Sequence, residues 1–241
     1  MNLEEESQMF KDKYDLTLSQ NTFLAKKLIA DSVYCGIQLE GSPLTFPETQ
    51  TLLDGVNIPH ASLNDIQTVL NMRDAWKYVL KTINEPFTLD YVCKVNELVA
   101  RNESLEWGVL RTGDVGISGT SYRPEIPQKE YVDNRINELM NSNMSATEKA
   151  LTYFLWGARS QLFWDGNKRT SLICANKLLI MQGKGIIAIP TEKIPQFNTL
   201  LTHYYESKEH NNLMEFLYES SIRGIEFQNQ NNNVMHVEPD R

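Results

Sequence analysis

QLFWDGNKRTSL, residues Gln161–Leu172, joins two apolar segments through a short polar loop. Asp165-Gly166-Asn167 is a turn signal. Upstream, Ala150–Phe163 is apolar and aromatic with Arg159 as its one charge, and downstream Thr170–Met181 is also mostly apolar. The pattern predicts two buried helices that meet at this loop. Free N–H groups in the first turn of the second helix, with the helix dipole behind them, favour a negative charge there. Lys168 and Arg169 add positive charge at the same place, and Gly166 allows close backbone approach. Asp165 supplies the kind of hard oxygen that Mg²⁺ prefers beside phosphates. The spacing is equally compatible with an ordinary Asp-Gly turn carrying a solvated Lys-Arg pair.

These residues resemble the Fic-family motif, histidine-x-Phe-x-Asp/Glu-Gly-Asn-x-Arg. Phe163, Asp165, Gly166, Asn167 and Arg169 stand at the matching positions. The resemblance implies a loop that binds the phosphates of ATP and an enzyme that transfers AMP to a hydroxyl side chain of a protein target, or of itself. It implies that Asp165 holds Mg²⁺ (or Mn²⁺), that Asn167 and Arg169 grip phosphate oxygens, and that Gly166 donates backbone N–H groups. Lys168 and Tyr204 complete the expected nucleotide-binding set, with Tyr204 toward the base. Three positions depart from the motif. The general-base histidine falls on Gln161, which does not titrate but can orient a hydroxyl. The usual glycine between Asn and Arg is Lys168, which resembles the death-on-curing (Doc) branch that moves the terminal phosphate. The second arginine falls on Leu172.

The start of the chain carries a second resemblance. Leu18–Leu39 reads as one helix, with Leu24, Ala25, Leu28, Ile29, Val33 and Ile37 at helical spacing and Ser19 or Asn21 as its cap. It stops at Glu40-Gly41-Ser42-Pro43. Class II Fic proteins carry an N-terminal inhibitory helix with the pattern Ser/Thr-x-x-x-Glu-Gly/Asn. Glu40-Gly41 matches, with Gly36 at the Ser/Thr position. The resemblance implies an inhibitory helix over residues 18–41 whose Glu40 blocks productive ATP binding. With Leu172 at the second-arginine position, Arg169 or Lys168 is left as the partner for Glu40.

Elsewhere the periodicity predicts helices over Phe46–Asp54, Leu63–Thr82, Thr88–Ala100, Gln128–Met140, Lys193–Tyr205 and Leu213–Phe227, and a short extended run over Gly185–Pro190. Ser145 with Glu148 reads as a capping box. Glu106–Gln128 is rich in glycine and proline. Val115–Ser118 and Ser121–Arg123 read as two short strands about Gly119-Thr120. This resembles the β-hairpin flap that aligns a target peptide beside a Fic active site, with Ile117, Gly119, Thr120 and Tyr122 as its contact residues.

The class that results is all-α, one compact Fic-like domain over residues 17–227 with one small β-hairpin flap. Residues 1–16 read as a flexible lead-in and 228–241 as a polar, disordered tail. A net charge of −8 argues against a general nucleic-acid binder. The three cysteines fit no metal or disulfide pattern. The acidic start is unlike a secretory signal, and no apolar run reaches the roughly 18 residues of a membrane span. A cytoplasmic protein without nucleic-acid or membrane partners is expected, its oligomeric state open to a homodimer. Besides AMP transfer, two readings stand: a Doc-like kinase using the γ-phosphate, and a nucleotide-binding regulatory module without catalysis.

Overall fold

The structure, a computed structural model, describes residues 10–225. Its centre is a helix, α8 (Asn167–Met181), in which every residue from Leu172 to Ile180 is buried. A helix that is buried on all sides has no amphipathic stripe and must be wrapped by its neighbours. The wrapping helices are α1 (Leu18–Lys27), α2 (Ile29–Gln38), α4 (Leu63–Lys81), α5 (Leu89–Val99) and α7 (Ala146–Ser160). Outside them lie α3 (Phe46–Leu53), α6 (Lys129–Asn141), α9 (Ile194–Ser207) and α10 (Asn211–Ser221). Strands β1 (Ile186–Ile187) and β2 (Ile222–Arg223) pair antiparallel, Ile187 opposite Ile222. The all-helical class is as the sequence predicts. No helix among the described residues is long and apolar enough to cross a membrane.

Helix starts follow local chemistry. Ser62, Thr88 and Ser145 each accept a hydrogen bond from the backbone N–H three residues on, and Thr45 with Glu48 makes a full capping box. The structure differs from these expectations in four places. The first helix is capped by Thr17 with Gln20, not by Ser19 or Asn21. Asn21 is buried and instead exchanges hydrogen bonds with both backbone groups of Gly185. The helix expected over Leu18–Leu39 breaks at Leu28 (φ −101°, ψ 21°). The break lets α1 stay on α8 while α2 turns to pack on α4 and α3. The last helix stops at Ser221 because Ile222–Arg223 pairs with β1. Phe227 and the tail 228–241 lie outside the described residues, as does 1–9 of the expected lead-in. Residues 10–16 are docked: Phe10 is in the core, Asp12 accepts from Thr147 N at 2.9 Å, and Leu16 N donates to Gly183 O at 2.8 Å.

The fourth difference concerns the hairpin. Among the described residues, 112–128 contains no strand, and the two-stranded element is β1–β2 instead. The Gly- and Pro-rich run does turn at Ser118–Gly119, but its carbonyls are claimed elsewhere. Arg111, fully buried, donates to the carbonyls of Gly113, Pro124 and Glu125. An arginine fork thus replaces the cross-strand ladder, because five N–H donors on one side chain satisfy several carbonyls at once.

Polar side chains on α8 do the same work at its far end. Asn176 donates to Leu172 O and Ile187 O and accepts from Ile187 N, so it stands in for a strand beside β1. Lys177 crosses the core to the carbonyls of Thr82 and Ile83 at the end of α4; burial pulls its pKa down to about 8. Asn176→Leu is expected to leave both backbone groups of Ile187 unpaired and to cost about 2–4 kcal/mol, read by denaturant unfolding. Glu148 is buried with Oε2 unpartnered, and desolvation raises its pKa. The folded state therefore holds a proton that the unfolded state has lost just above about pH 4.3. Stability from this group is full below that pH and declines as pH rises. Glu148→Gln is expected to raise the melting temperature at pH 7 and to leave it unchanged near pH 3.5.

Candidate active site

The turn from α7 into α8 is built by its own polar side chains. Gln161 ends α7 in the left-handed region (φ 47°, ψ 59°). Its carbonyl accepts from Arg111 Nε at 2.6 Å, and Arg111 N donates to Leu162 O at 3.0 Å. Asn167, the first residue of α8, folds back on the loop. Its Oδ1 accepts from Phe163 N at 2.9 Å, and its Nδ2 donates to Phe163 O at 2.8 Å and Gln161 Oε1 at 3.1 Å. The Gln161 amide also donates to Ala158 O at 2.7 Å. Phe163 is buried, pinning the loop to the core. Asn96 on α5 holds the loop from the other side, donating to Asp165 O and to Thr170 Oγ1 and accepting from Gly108 N.

Gly166 caps α8 at φ +71°, and a Cβ there would sit 2.9 Å from Val99 Cγ1. The glycine is therefore required by a left-handed turn pressed on α5, a packing reason beside the expected ligand approach. Its N–H is taken by the Asp165 carboxylate. The first turn of α8 presents its remaining N–H groups to the loop.

Two cations and three carboxylates surround this turn. Arg169 is 3% exposed. Its Nη1 donates to Glu103 Oε2 at 2.7 Å, and its Nη2 lies 3.5 Å from Asp165 Oδ1. Its Nε is buried without a hydrogen-bond partner, 3.6 Å from Glu40 Oε1. Lys168 Nζ donates to Leu39 O at 2.6 Å and pairs with Glu40 Oε2 at 3.2 Å. Glu40 follows α2 just past its C-terminus, where the helix dipole disfavours a carboxylate; the two cations offset that. Gly36, at the expected Ser/Thr position, lies where α2 crosses α4: a Cβ would fall 2.1 Å from Met72 Cε. Leu172, at the expected second-arginine position, is buried in the core.

The flap residues gather on α9 and α7. Tyr122 stacks on Tyr205 with centroids 6.2 Å apart, and the Arg159 guanidinium lies 4.0 Å over its ring. Thr120 Oγ1 donates to Glu206 at 2.9 Å, Ile117 packs on the core, and Gly119 (φ +83°) faces open space. Tyr204 is half-buried between Arg159 and His210, so its ring is already in use by protein neighbours. His203 pairs with Glu209 and, like His210, is exposed. Reading the sequence missed Glu103, Arg111, Asn96 and Asn71. They lie in a helix or an irregular run far from the loop in the chain, and no spacing rule links them to it.

Residues 86–179 match the model of the Fic/DOC family. The chain is 24% identical over 169 residues to protein adenylyltransferase fic-1 of Caenorhabditis briggsae, which covers 66% of this chain and 33% of that protein. Among solved structures, Fic-1 from C. elegans superposes with a TM-score of 0.73 at 19% identity, covering 84% of this chain and 62% of that one. A Fic domain containing signaling protein from Bacteroides thetaiotaomicron superposes at 0.69 and 18% identity, covering 85% and 87%. The fold is that of these Fic domain proteins, and the segment that holds the loop matches the Fic/DOC family.

The chain spans about a third of the length of the curated relatives it matches. Those relatives are named protein adenylyltransferases, so AMP transfer is the activity of the family as these names give it. The loop is held in shape by Asn167, Asn96 and Arg111. Arg111→Met is expected to leave three carbonyls of 113–125 and that of Gln161 without a donor. A loss of about 2–4 kcal/mol in stability and faster hydrogen exchange over 112–127 and 161–163 are the expected readouts.

Proposed function

We propose that this Fic domain binds ATP at Asp165–Arg169 and transfers AMP slowly to a protein hydroxyl, with Glu40 as an inhibitory clasp. The observation that carries the reading is the position of the Glu40 carboxylate. It sits on Lys168 and beside the orphaned Nε of Arg169, as a stand-in for a phosphate oxygen. A site whose cations already hold one displaceable anion fits another. Partly exposed ion pairs of this kind are worth on the order of 1 kcal/mol, so a triphosphate is able to displace Glu40 at a modest cost.

Asp165 would hold the divalent cation, Mg²⁺ or Mn²⁺. Its side chain is 45% exposed, and a single carboxylate beside phosphates suits Mg²⁺. No group of three or more metal-ligating side chains exists among the described residues, so the phosphates would supply the other ligands. When bound, the metal neutralises charge on the departing pyrophosphate. Lys168, Arg169 and the first-turn N–H groups of α8 orient the phosphates. The target hydroxyl oxygen bonds to the α-phosphorus as the α–β bridging bond breaks, and its proton goes to solvent. The unpaired backbone around Ser118–Thr120 offers an edge along which a target segment is aligned. Positioning and charge stabilisation supply most of the acceleration in such transfers. The three free cysteines accord with a cytoplasmic setting.

A second reading, a nucleotide-binding regulatory module, draws on Gln161. Both polar atoms of its amide are used inside the loop, so nothing there is aimed at a hydroxyl. Labelling with ATP carrying radioactivity at the α- or the γ-phosphate separates the readings. The expected result is weak α-label in the native protein and stronger α-label in Glu40→Gly. Gln161→His is expected to add about 10²–10⁴-fold, since histidine tolerates the left-handed backbone of this position. γ-Label alone makes the protein a Doc-like kinase. ATP binding without label in any variant leaves the regulatory module.

A further inference from the structure

The carboxylates around Arg169 differ in how they are held. Glu40 is 32% exposed, meets Arg169 at 3.6 Å, beyond hydrogen-bond distance, and shares its charge with Lys168. Glu103 is 13% exposed and hydrogen-bonded through both oxygens. Its Oε2 accepts from Arg169 Nη1 at 2.7 Å and its Oε1 accepts from Asn71 Nδ2 at 2.8 Å. Asn71, itself buried on α4, also donates to Arg101 O at 2.8 Å, and its Oδ1 accepts from Gln67 at 2.8 Å. The chain reaches this point through a left-handed residue, Asn102 (φ 63°), with Glu103 N bonded to Ala100 O. A side chain braced on both oxygens, on a backbone turned to deliver it, is a fixed part of the structure.

The consequence falls on the guanidinium. Arg169 Nη1 is shared by Glu103 and Val99 O, and Nη2 faces Asp165. The edge left without a hydrogen bond is Nε, on the Glu40 side. Planar, bidentate groups act through direction as much as through charge. We infer that Glu103 is a positioning residue of the nucleotide site: it locks the Nη edge of Arg169 so that Nε is presented to the anion that replaces Glu40. The inference rests on the reading of Asp165–Arg169 as a phosphate cradle. It assigns the two glutamates opposite parts, Glu40 leaving when nucleotide binds and Glu103 staying.

Removing Glu103 deletes a negative charge beside the cradle, so anion binding does not suffer, whereas the orientation of Arg169 is lost. The split between affinity and rate is what a purely structural glutamate would not produce. The experiment uses Glu40→Gly protein as the reference and compares it with the same protein carrying Glu103→Ala or, as the milder change, Glu103→Gln. ATP affinity, the rate of α-label transfer and the ¹⁵N signals of the Arg169 guanidinium are measured at equal melting temperature. The expected result is ATP affinity equal or tighter and transfer slower by about 10- to 100-fold for Glu103→Ala. For Glu103→Gln a smaller loss is expected. The separate, slowly exchanging Nη signals of Arg169 are expected to average in both variants. Unchanged Nη signals, or affinity and rate falling together, would overturn the inference. If the reference protein binds ATP but transfers nothing, adenylyl transfer fails as a reading, while the guanidinium signals still decide the part of Glu103.

Discussion

A helix buried on every side cannot leave its polar atoms unpaired, and most of this molecule is arranged to satisfy α8. At its C-terminal half, Asn176 and Lys177 spend their donors on the backbone of β1 and of the end of α4. At its N-terminal end the same demand produces the loop. Asn167 turns back on Phe163, Asn96 reaches in from α5, and Gly166 presses against Val99. Unpaired buried groups cost more than paired ones contribute, so these contacts decide the register of the turn. The chemistry of the site is built on an anchor that the core already requires.

The charge arrangement follows from the same burial. Arg169 is drawn inside by its place on α8, and a buried guanidinium needs anions around it. It finds Glu103, Asp165 and, at longer range, Glu40. Lys168, one residue earlier and more exposed, is shared between Glu40 and the carbonyl of Leu39. Three carboxylates around two cations leave the turn with no surplus positive charge while Glu40 is in place. Of the three carboxylate contacts to Arg169, the one with Glu40 is the longest, at 3.6 Å.

Legibility from the sequence tracked the range of the interactions. The starts of α3, α4 and α5 were readable to within a residue, and that of α7 together with its Ser145 cap, because the signals for a helix start are adjacent in the chain. The turn at Asp165-Gly166-Asn167 was readable for the same reason. The break at Leu28 was not, since it answers to α1 lying on α8 and α2 on α4. Nor was the true end of α10, which is set by pairing with a strand 35 residues earlier. The expected hairpin over 115–123 had the right turn residues but not the ladder, because Arg111 takes its carbonyls. Glu103 stands 66 residues before the arginine it holds, and no periodicity connects them.

By itself the sequence determined the helical class, the loop and the identity of the residues in it, since apolar spacing, turn propensity and a five-residue pattern are local properties. It also placed Glu40 at the end of a helix with Lys168 and Arg169 as the available partners. Only the tertiary structure decided which polar groups are paired. Gln161 has its amide turned inward, Tyr204 is sandwiched by protein, Glu40 spans both cations, and Arg169 keeps one edge open. The physical reason is that hydrogen bonds and ion pairs are settled by distances of a few ångströms between segments that the chain order keeps far apart.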